Sequence, residues 1–280
     1  RCRDLLDLDA DPAQLGAALS TDPVLAPLVA ARPGLRIPGA VDGFEIAVRA
    51  VLGQQISVAA ARTLTARLVQ RFSAIELAQE AALAPDGAAV TLRAATGVLP
   101  GQVGSAAELS SAGWSGSDSP AGAGSESGSA DSPPSHFVDN HPALNPFPRA
   151  ETLAAPTLEA GDFHGLGLTR RTAATLRALA AAVAAGDLVL DRGVDRTEAR
   201  AKLLALPGIG PWTADYIALR VFGDPDAFPV GDLVLRRQAE SLGLPGTEKA
   251  LLEHAERWRP WRAYAALHLW ACTTTEGKAK

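Results

Sequence analysis

Apolar residues recur at helical spacing along almost all of this 280-residue chain, and that pattern leaves little room for a sheet. Phe44, Val48, Val51 and Leu52 form one stripe, and Val58, Leu64, Leu68 and Val69 continue it after Gly53. Thr169 to Ala185 is rich in Ala and Leu and ends at Gly186, a residue suited to closing a helix. Asp195 and Glu198, three apart, read as a capping box opening a helix to about Leu206. Pro211 suits the first turn of the next helix, which Gly223 ends. Further helices are predicted at about 231–242 and 260–272, and Leu188 to Leu190 is too short to count as a strand. The predicted fold is all-α.

One stretch departs from the pattern. Residues 101–147 are dominated by Gly, Ser, Ala and Pro, a composition that cannot bury enough apolar area to offset its ordering entropy. It is predicted to be a disordered, low-complexity insertion, with residues 136–147 an irregular return to order. The formal net charge is −5, which over a whole chain argues weakly against a nucleic-acid partner. Yet residues 101–150 hold Glu108, Asp118, Glu126, Asp131 and Asp139 against Arg149, so nearly all the excess sits in the insertion. Residues 196–280 carry 12 basic against 10 acidic side chains.

Only Cys2 and Cys272 are present, which excludes a disulfide framework and any four-cysteine metal or iron–sulfur site. No histidine shows metal-ligand spacing, and His268 reads as a helix-packing residue. No apolar run approaches the roughly 18 residues of a membrane span, and the start has no signal-peptide core. The expected compartment is the cytoplasm. The chain contains no Met, so it is expected to be a piece of a longer polypeptide.

The most informative segment is Leu206, Pro207, Gly208, Ile209, Gly210 and Pro211, joining two short amphipathic helices. Two glycines around one apolar residue permit a tight turn that presents backbone N–H groups at a helix start. Such a terminus carries partial positive charge and unpaired donors suited to a phosphate oxygen. Backbone donors position a duplex without reading its sequence. About twenty residues on, Pro229, Val230, Gly231 and Asp232 follow. On local sequence alone Asp232 reads equally as a helix N-cap or as a catalytic carboxylate. Asp215 and Asp226 are weaker candidates.

These segments resemble the helix–hairpin–helix/Gly-Pro-Asp DNA glycosylases, and among them the AlkA-type 3-methyladenine DNA glycosylase II branch. The resemblance extends through Leu35–Gly39, Val51–Ser57, Glu256–Tyr264 and Leu267–Trp270, most of the chain outside the insertion. It implies two helical subdomains, 1–42 with 225–280 and 43–224, flanking a DNA-facing cleft, with the hairpin at about 195–222. It implies that Asp232 is the catalytic carboxylate and that Trp212, Tyr216 and Trp270 line a base pocket, leaving Trp258, Trp261 and Tyr264 to the core. Trp212 stands where lyase-type members carry a nucleophilic Lys, so a monofunctional hydrolase of alkylated purines is expected, acting by base flipping. A non-catalytic DNA-binding module of an alkylation-response regulator and a bifunctional glycosylase-lyase are the alternatives.

The resemblance also assigns double-stranded DNA to Gln54, Gln55, Gly208, Ile209, Gly210 and Thr213, with Arg170, Arg171, Arg236 and Arg237 as phosphate partners. Gln54 and Gln55 belong to the loop that fills the gap left by a flipped base, although a relative has an apolar wedge at the Gln55 position. Gly231 replaces an acid beside the catalytic Asp, and Ala271 replaces an aromatic. No cofactor is required, but the carbonyls of Leu204, Leu206 and Ile209 are expected to suit a structural monovalent cation. The chain is expected to be monomeric, bacterial and possible to fuse to an alkylation-sensing regulator, with the family's small N-terminal α/β domain preceding Arg1.

Overall fold

A computed structural model of the chain describes residues 2–83, 146–158, 162, 163 and 165–272. All regular structure among the described residues is helical. The helices are α1 (Cys2–Leu5), α2 (Pro12–Leu19), α3 (Leu25–Ala31), α4 (Gly43–Leu52), α5 (Val58–Leu83) and α6 (Ala150–Ala154). They continue with α7 (Arg170–Ala184), α8 (Arg196–Ala205), α9 (Pro211–Arg220), α10 (Leu233–Ser241), α11 (Glu248–Ala255) and α12 (Arg262–Ala271). A 3₁₀ turn, Glu256–Trp258, joins α11 to α12. No described helix is long and apolar enough to cross a membrane.

Polar side chains at helix starts explain most of the boundaries. Asp11, Asp42, Thr169, Asp195, Asp232 and Thr247 each accept a hydrogen bond from an amide in the following first turn. The 195–198 pattern works in one direction: Asp195 accepts from the Glu198 amide, while Glu198 itself pairs with Lys202 at 2.8 Å. The segments predicted at 231–242 and 260–272 form α10 and α12, each a residue or two shorter. Sequence reasoning missed α1, α2, α3, α6 and α11, all of eight residues or fewer, where the periodic signal is weakest.

The protein divides into two compact units, Arg1–Glu76 with Phe147–Lys280, and Leu77–Pro146. Of the predicted insertion, 101–145 lies outside the described residues. Phe147, the last residue of the predicted return to order, packs on the core, with the Arg49 guanidinium 5.8 Å from its ring centroid. Buried Glu76 holds the backbone there, accepting from the Arg149 amide at 2.7 Å and from the Thr152 hydroxyl.

Within the first unit, α4 packs on α7 and α9, α7 on α6, and α8 on α9. A second set joins α12 to α3 and α10, α2 to α3, and α10 to α11. Phe72, Phe163, Phe222, Leu176, Leu179 and Ile217 are fully buried. Long-range polar ties complete this unit. Tyr264 donates to the Asp7 carboxylate at 2.8 Å, and Trp258 Nε1 donates to Asp22 at 2.8 Å with His254 Nε2 3.1 Å from the same oxygen. Arg220 Nε donates to the Pro38 carbonyl at 2.8 Å, joining α9 to the 36–39 segment.

Candidate active site and nucleic-acid interface

The hairpin is built as its glycines require. Leu206 leaves α8 in an extended conformation, and Gly208 then turns with φ 84°, where an L side chain is strained. A Cβ at Gly208 would stand 2.0 Å from Thr175 Oγ1 on α7, so this corner presses directly on a neighbouring helix. Gly210 is the N-cap of α9 and offers no side-chain acceptor, and Pro211 follows at the first position. The Trp212 and Thr213 amides are therefore first-turn donors without an intrahelical partner.

Side chains around the turn face inward. Ile209 is buried, and so is Thr213, whose hydroxyl accepts a bond from Gln54 Nε2 at 2.9 Å. Only the backbones of these two residues remain for a ligand. Gln54 Nε2 also donates to the Gly208 carbonyl at 3.0 Å. Gln54 is thus half-buried and braces the hairpin, whereas its neighbour Gln55 is exposed and holds φ 59°, an uncommon state for a non-glycine residue. Ile56 beside it is 40% exposed. Gln55, Ile56, Leu64, Thr169, Arg171 and Thr172 border a cavity of about 390 Å³. Arg171 is thereby brought to the Gln55 loop; Arg170 is exposed in the same first turn but does not line the cavity.

Asp232 sits at the start of α10, half-buried, with three donors on its carboxylate. Oδ1 accepts from the Leu235 amide at 2.8 Å and from Trp270 Nε1 at 3.2 Å, and Oδ2 accepts from Trp212 Nε1 at 3.0 Å. The two roles that the sequence left open for Asp232 are therefore compatible, since the N-cap bond uses only part of the group. Trp212 lies on α9 just past the hairpin and Trp270 near the end of α12, so three helices converge on one carboxylate. Tyr216, one turn along from Trp212, stacks with it at 5.7 Å between centroids and 20° between planes. The Tyr216 hydroxyl accepts from Arg220 Nη1 at 3.1 Å.

The other aspartates are committed elsewhere. Asp215 binds Arg200 Nε at 2.6 Å across α8 and α9; burial pushes its carboxyl up, although Arg200 opposes the shift. Asp226 receives Arg262 Nε at 2.7 Å and also Arg259. Trp258 and Tyr264 are buried, and Trp261 packs against the core.

On α10, Arg236 is half-buried one turn past Asp232, with Nη2 3.8 Å from Glu248 Oε1 and a buried Nε that has no partner. Arg237 is exposed beside it. Leu233 and Val234, 50% and 48% exposed, give the start of α10 an apolar surface that no periodicity argument could single out. Lys202 and Lys249 lie on α8 and α11, and neither stands at the Asp232 carboxylate. No group of three metal-ligating side chains occurs among the described residues. The Leu204, Leu206 and Ile209 carbonyls are neutral oxygen donors of the kind that suits an alkali cation. That of Leu206 accepts one bond, from the Ile209 amide at 3.2 Å, which leaves a second lone pair.

A carboxylate at a helix start, held by two indoles beside a glycine hairpin, belongs to a fold with known members. A 3-methyladenine DNA-glycosylase from Archaeoglobus fulgidus superposes with a TM-score of 0.62 at 20% identity, covering 99% of this chain and 74% of that one. That likeness establishes the helix–hairpin–helix glycosylase fold. Sequence establishes more. Residues 1–42 match the family model described as AlkA N-terminal domain, which corrects the expectation that this domain lies wholly before Arg1. DNA-3-methyladenine glycosylase 2 of Escherichia coli is 32% identical over 267 residues, 95% of this chain and 68% of the relative. The chain belongs to this AlkA/DNA-3-methyladenine glycosylase 2 family. The "Probable bifunctional transcriptional activator/DNA repair enzyme AlkA" of Mycobacterium tuberculosis is 41% identical over 277 residues, and the chain spans 42% of its length.

Proposed function

We propose that the chain is a monofunctional DNA glycosylase that hydrolyses the N-glycosidic bond of alkylated purines in double-stranded DNA. Substrates of the 3-methyladenine and 7-methylguanine type fit best. The observation that carries the reading is Asp232, a carboxylate aligned by Trp212 and Trp270 and set beside the hairpin. Cleavage develops positive charge on the sugar, and a carboxylate already oriented can stabilise it without rearranging. The aromatic face of the Trp212–Tyr216 stack suits a flat, cationic base, an attraction of about 0.5–2 kcal/mol. Much of the selection falls to the lesion itself, since a damaged base is cheaper to rotate out of the stack.

In this reading the Gly208, Gly210, Trp212 and Thr213 backbone holds phosphates, and Arg171, Arg236 and Arg237 add charge. The two described sets of packed helices would form the walls of a DNA-facing cleft, α2, α3 and α10–α12 on one side and α4 and α6–α9 on the other. A monovalent cation at the Leu204, Leu206 and Ile209 carbonyls would firm the hairpin when DNA binds. The position of Trp212 supports hydrolysis over a lyase reaction, because no amine among the described residues stands at the carboxylate. The name of the mycobacterial relative supports a place in a larger fusion with a regulator.

The decisive experiment incubates methylated duplex with the wild-type chain and with Asp232→Asn and identifies the bases released. Asn preserves the N-cap, so folding should hold while release falls about 100- to 1,000-fold. Binding to duplex with an abasic analogue should survive. No release by either protein, with duplex binding intact, would leave only a DNA-holding module; equal release by both would remove Asp232 from the chemistry; and borohydride trapping of a covalent adduct would establish the lyase.

A further inference from the structure

Gly231, next to Asp232, leaves an opening in the wall of the site. A Cβ there would lie 3.4 Å from Trp212 Cβ and 4.0 Å from Glu248 Oε1. The Glu248 carboxylate therefore faces the bare backbone of Gly231, the residue preceding Asp232, beside the Trp212 Cβ. Its origin is well defined. Thr247 caps α11 by accepting from the Ala250 amide at 3.4 Å, and Glu248 is the first residue of that helix, where a carboxylate is favoured.

The cation facing Glu248 is Arg236, whose Nη2 is 3.8 Å from Oε1. That distance is too long for a hydrogen bond, so the pair lacks the short bidentate contact that cancels charge most fully. The Glu248 side chain is 58% exposed, which moderates its field without removing it. A side chain at position 231 would have stood against both Trp212 and the Glu248 carboxylate, and glycine leaves that face bare.

We propose that Glu248 is a second carboxylate of the Asp232 site, reached through the gap at Gly231, and that it favours occupants bearing positive charge. Those occupants are the alkylated purine and the sugar as its glycosidic bond breaks. The inference rests on the glycosylase reading and adds a specificity-determining residue to it. A mostly exposed carboxylate near a cation changes preference by up to about fivefold.

The test compares the full 280-residue chain with Glu248→Gln and Glu248→Asp. Each is titrated against one duplex carrying a pyrrolidine abasic analogue, which is cationic, and one carrying the neutral tetrahydrofuran analogue. Glu248→Gln should cut the preference for the cationic duplex about fivefold and leave affinity for the neutral one within about twofold. Glu248→Asp should fall between. Thermal melting of each variant verifies folding. An unchanged preference overturns the proposal. So does equal tightening on both duplexes, which would mean that Glu248 does no more than screen Arg236. If the wild-type chain cannot tell either abasic duplex from intact DNA, the glycosylase reading itself falls, and this inference with it.

Discussion

Gln54 reaches across 154 residues to donate to the Gly208 carbonyl at 3.0 Å, and the same nitrogen donates to Thr213 Oγ1. The loop after α4 and the hairpin are thereby one mechanical piece. Gln54→Leu would leave a carbonyl and a hydroxyl without their donor in a half-buried place, at a cost of about 2 kcal/mol. Chemical denaturation should show that loss, and affinity for intact and abasic duplex should fall together.

The two hairpin glycines should respond differently. Gly208→Ala meets Thr175 Oγ1 and places a side chain at φ 84°, so we expect a loss of about 3 kcal/mol in unfolding free energy. Gly210 has φ −98° and nothing within 4 Å of a new Cβ. Gly210→Ala should therefore change stability by no more than about 1 kcal/mol; if the hairpin backbone holds phosphates as proposed, it should also weaken duplex binding, because its methyl would stand in their path. Parallel denaturation and binding curves separate the two effects.

Gln55 holds a left-handed backbone conformation on an exposed loop. Gln55→Gly relieves that strain and adds chain entropy to the unfolded state, so stability should stay level or rise by up to about 1 kcal/mol. If the side chain fills the space left by a flipped base, preference for abasic over intact duplex should nevertheless decline. A loss of stability with no change in preference would assign Gln55 to folding alone.

His268 gives the fold a defined acid response. It is buried with Nδ1 unpartnered, and burial, with Arg32 nearby, holds its pKa below the usual histidine value; the Leu28 backbone opposes this. The unfolded chain then binds a proton near pH 6.5 that the folded chain does not. Stability is complete above that pH and declines as pH falls toward the lower folded value. His268→Gln should flatten this part of the difference curve in denaturation series from pH 8 to 5.

The grip on DNA should depend weakly on salt. In the proposed interface the uncharged hairpin amides release no counterions, so only the few arginines count, each phosphate they neutralise contributing about 0.9 to the slope of log affinity against log salt. A slope implying ten or more contacts would contradict this interface.

What was legible in the sequence was local. The hairpin, the start of α10 at Asp232 and the helical character all follow from residues within a turn or two of one another. The partners of Asp232 were not legible as partners, because Trp212 and Trp270 lie 20 and 38 residues away and meet it only after three helices pack. The bond from Gln54 to the hairpin was not legible for the same reason: beside Gln55 it reads as a second loop residue, and its reach to Gly208 and Thr213 appears only once the loop packs on the hairpin. Glu248 escaped notice because a Glu in a first helical turn is ordinary, and only the bare backbone at Gly231 brings it to the site.

The three donors on Asp232 also restrict what can approach it. An ionised carboxylate offers about four acceptor positions, and the Leu235 amide and two indoles fill three. Among the described residues nothing fills the fourth, so a single lobe stays open, pointing where the protein and not the ligand has chosen. A water or sugar arriving there meets one direction of approach instead of several. Any substitution that disturbs the first turn of α10 will turn that lobe away even when the carboxylate itself is intact.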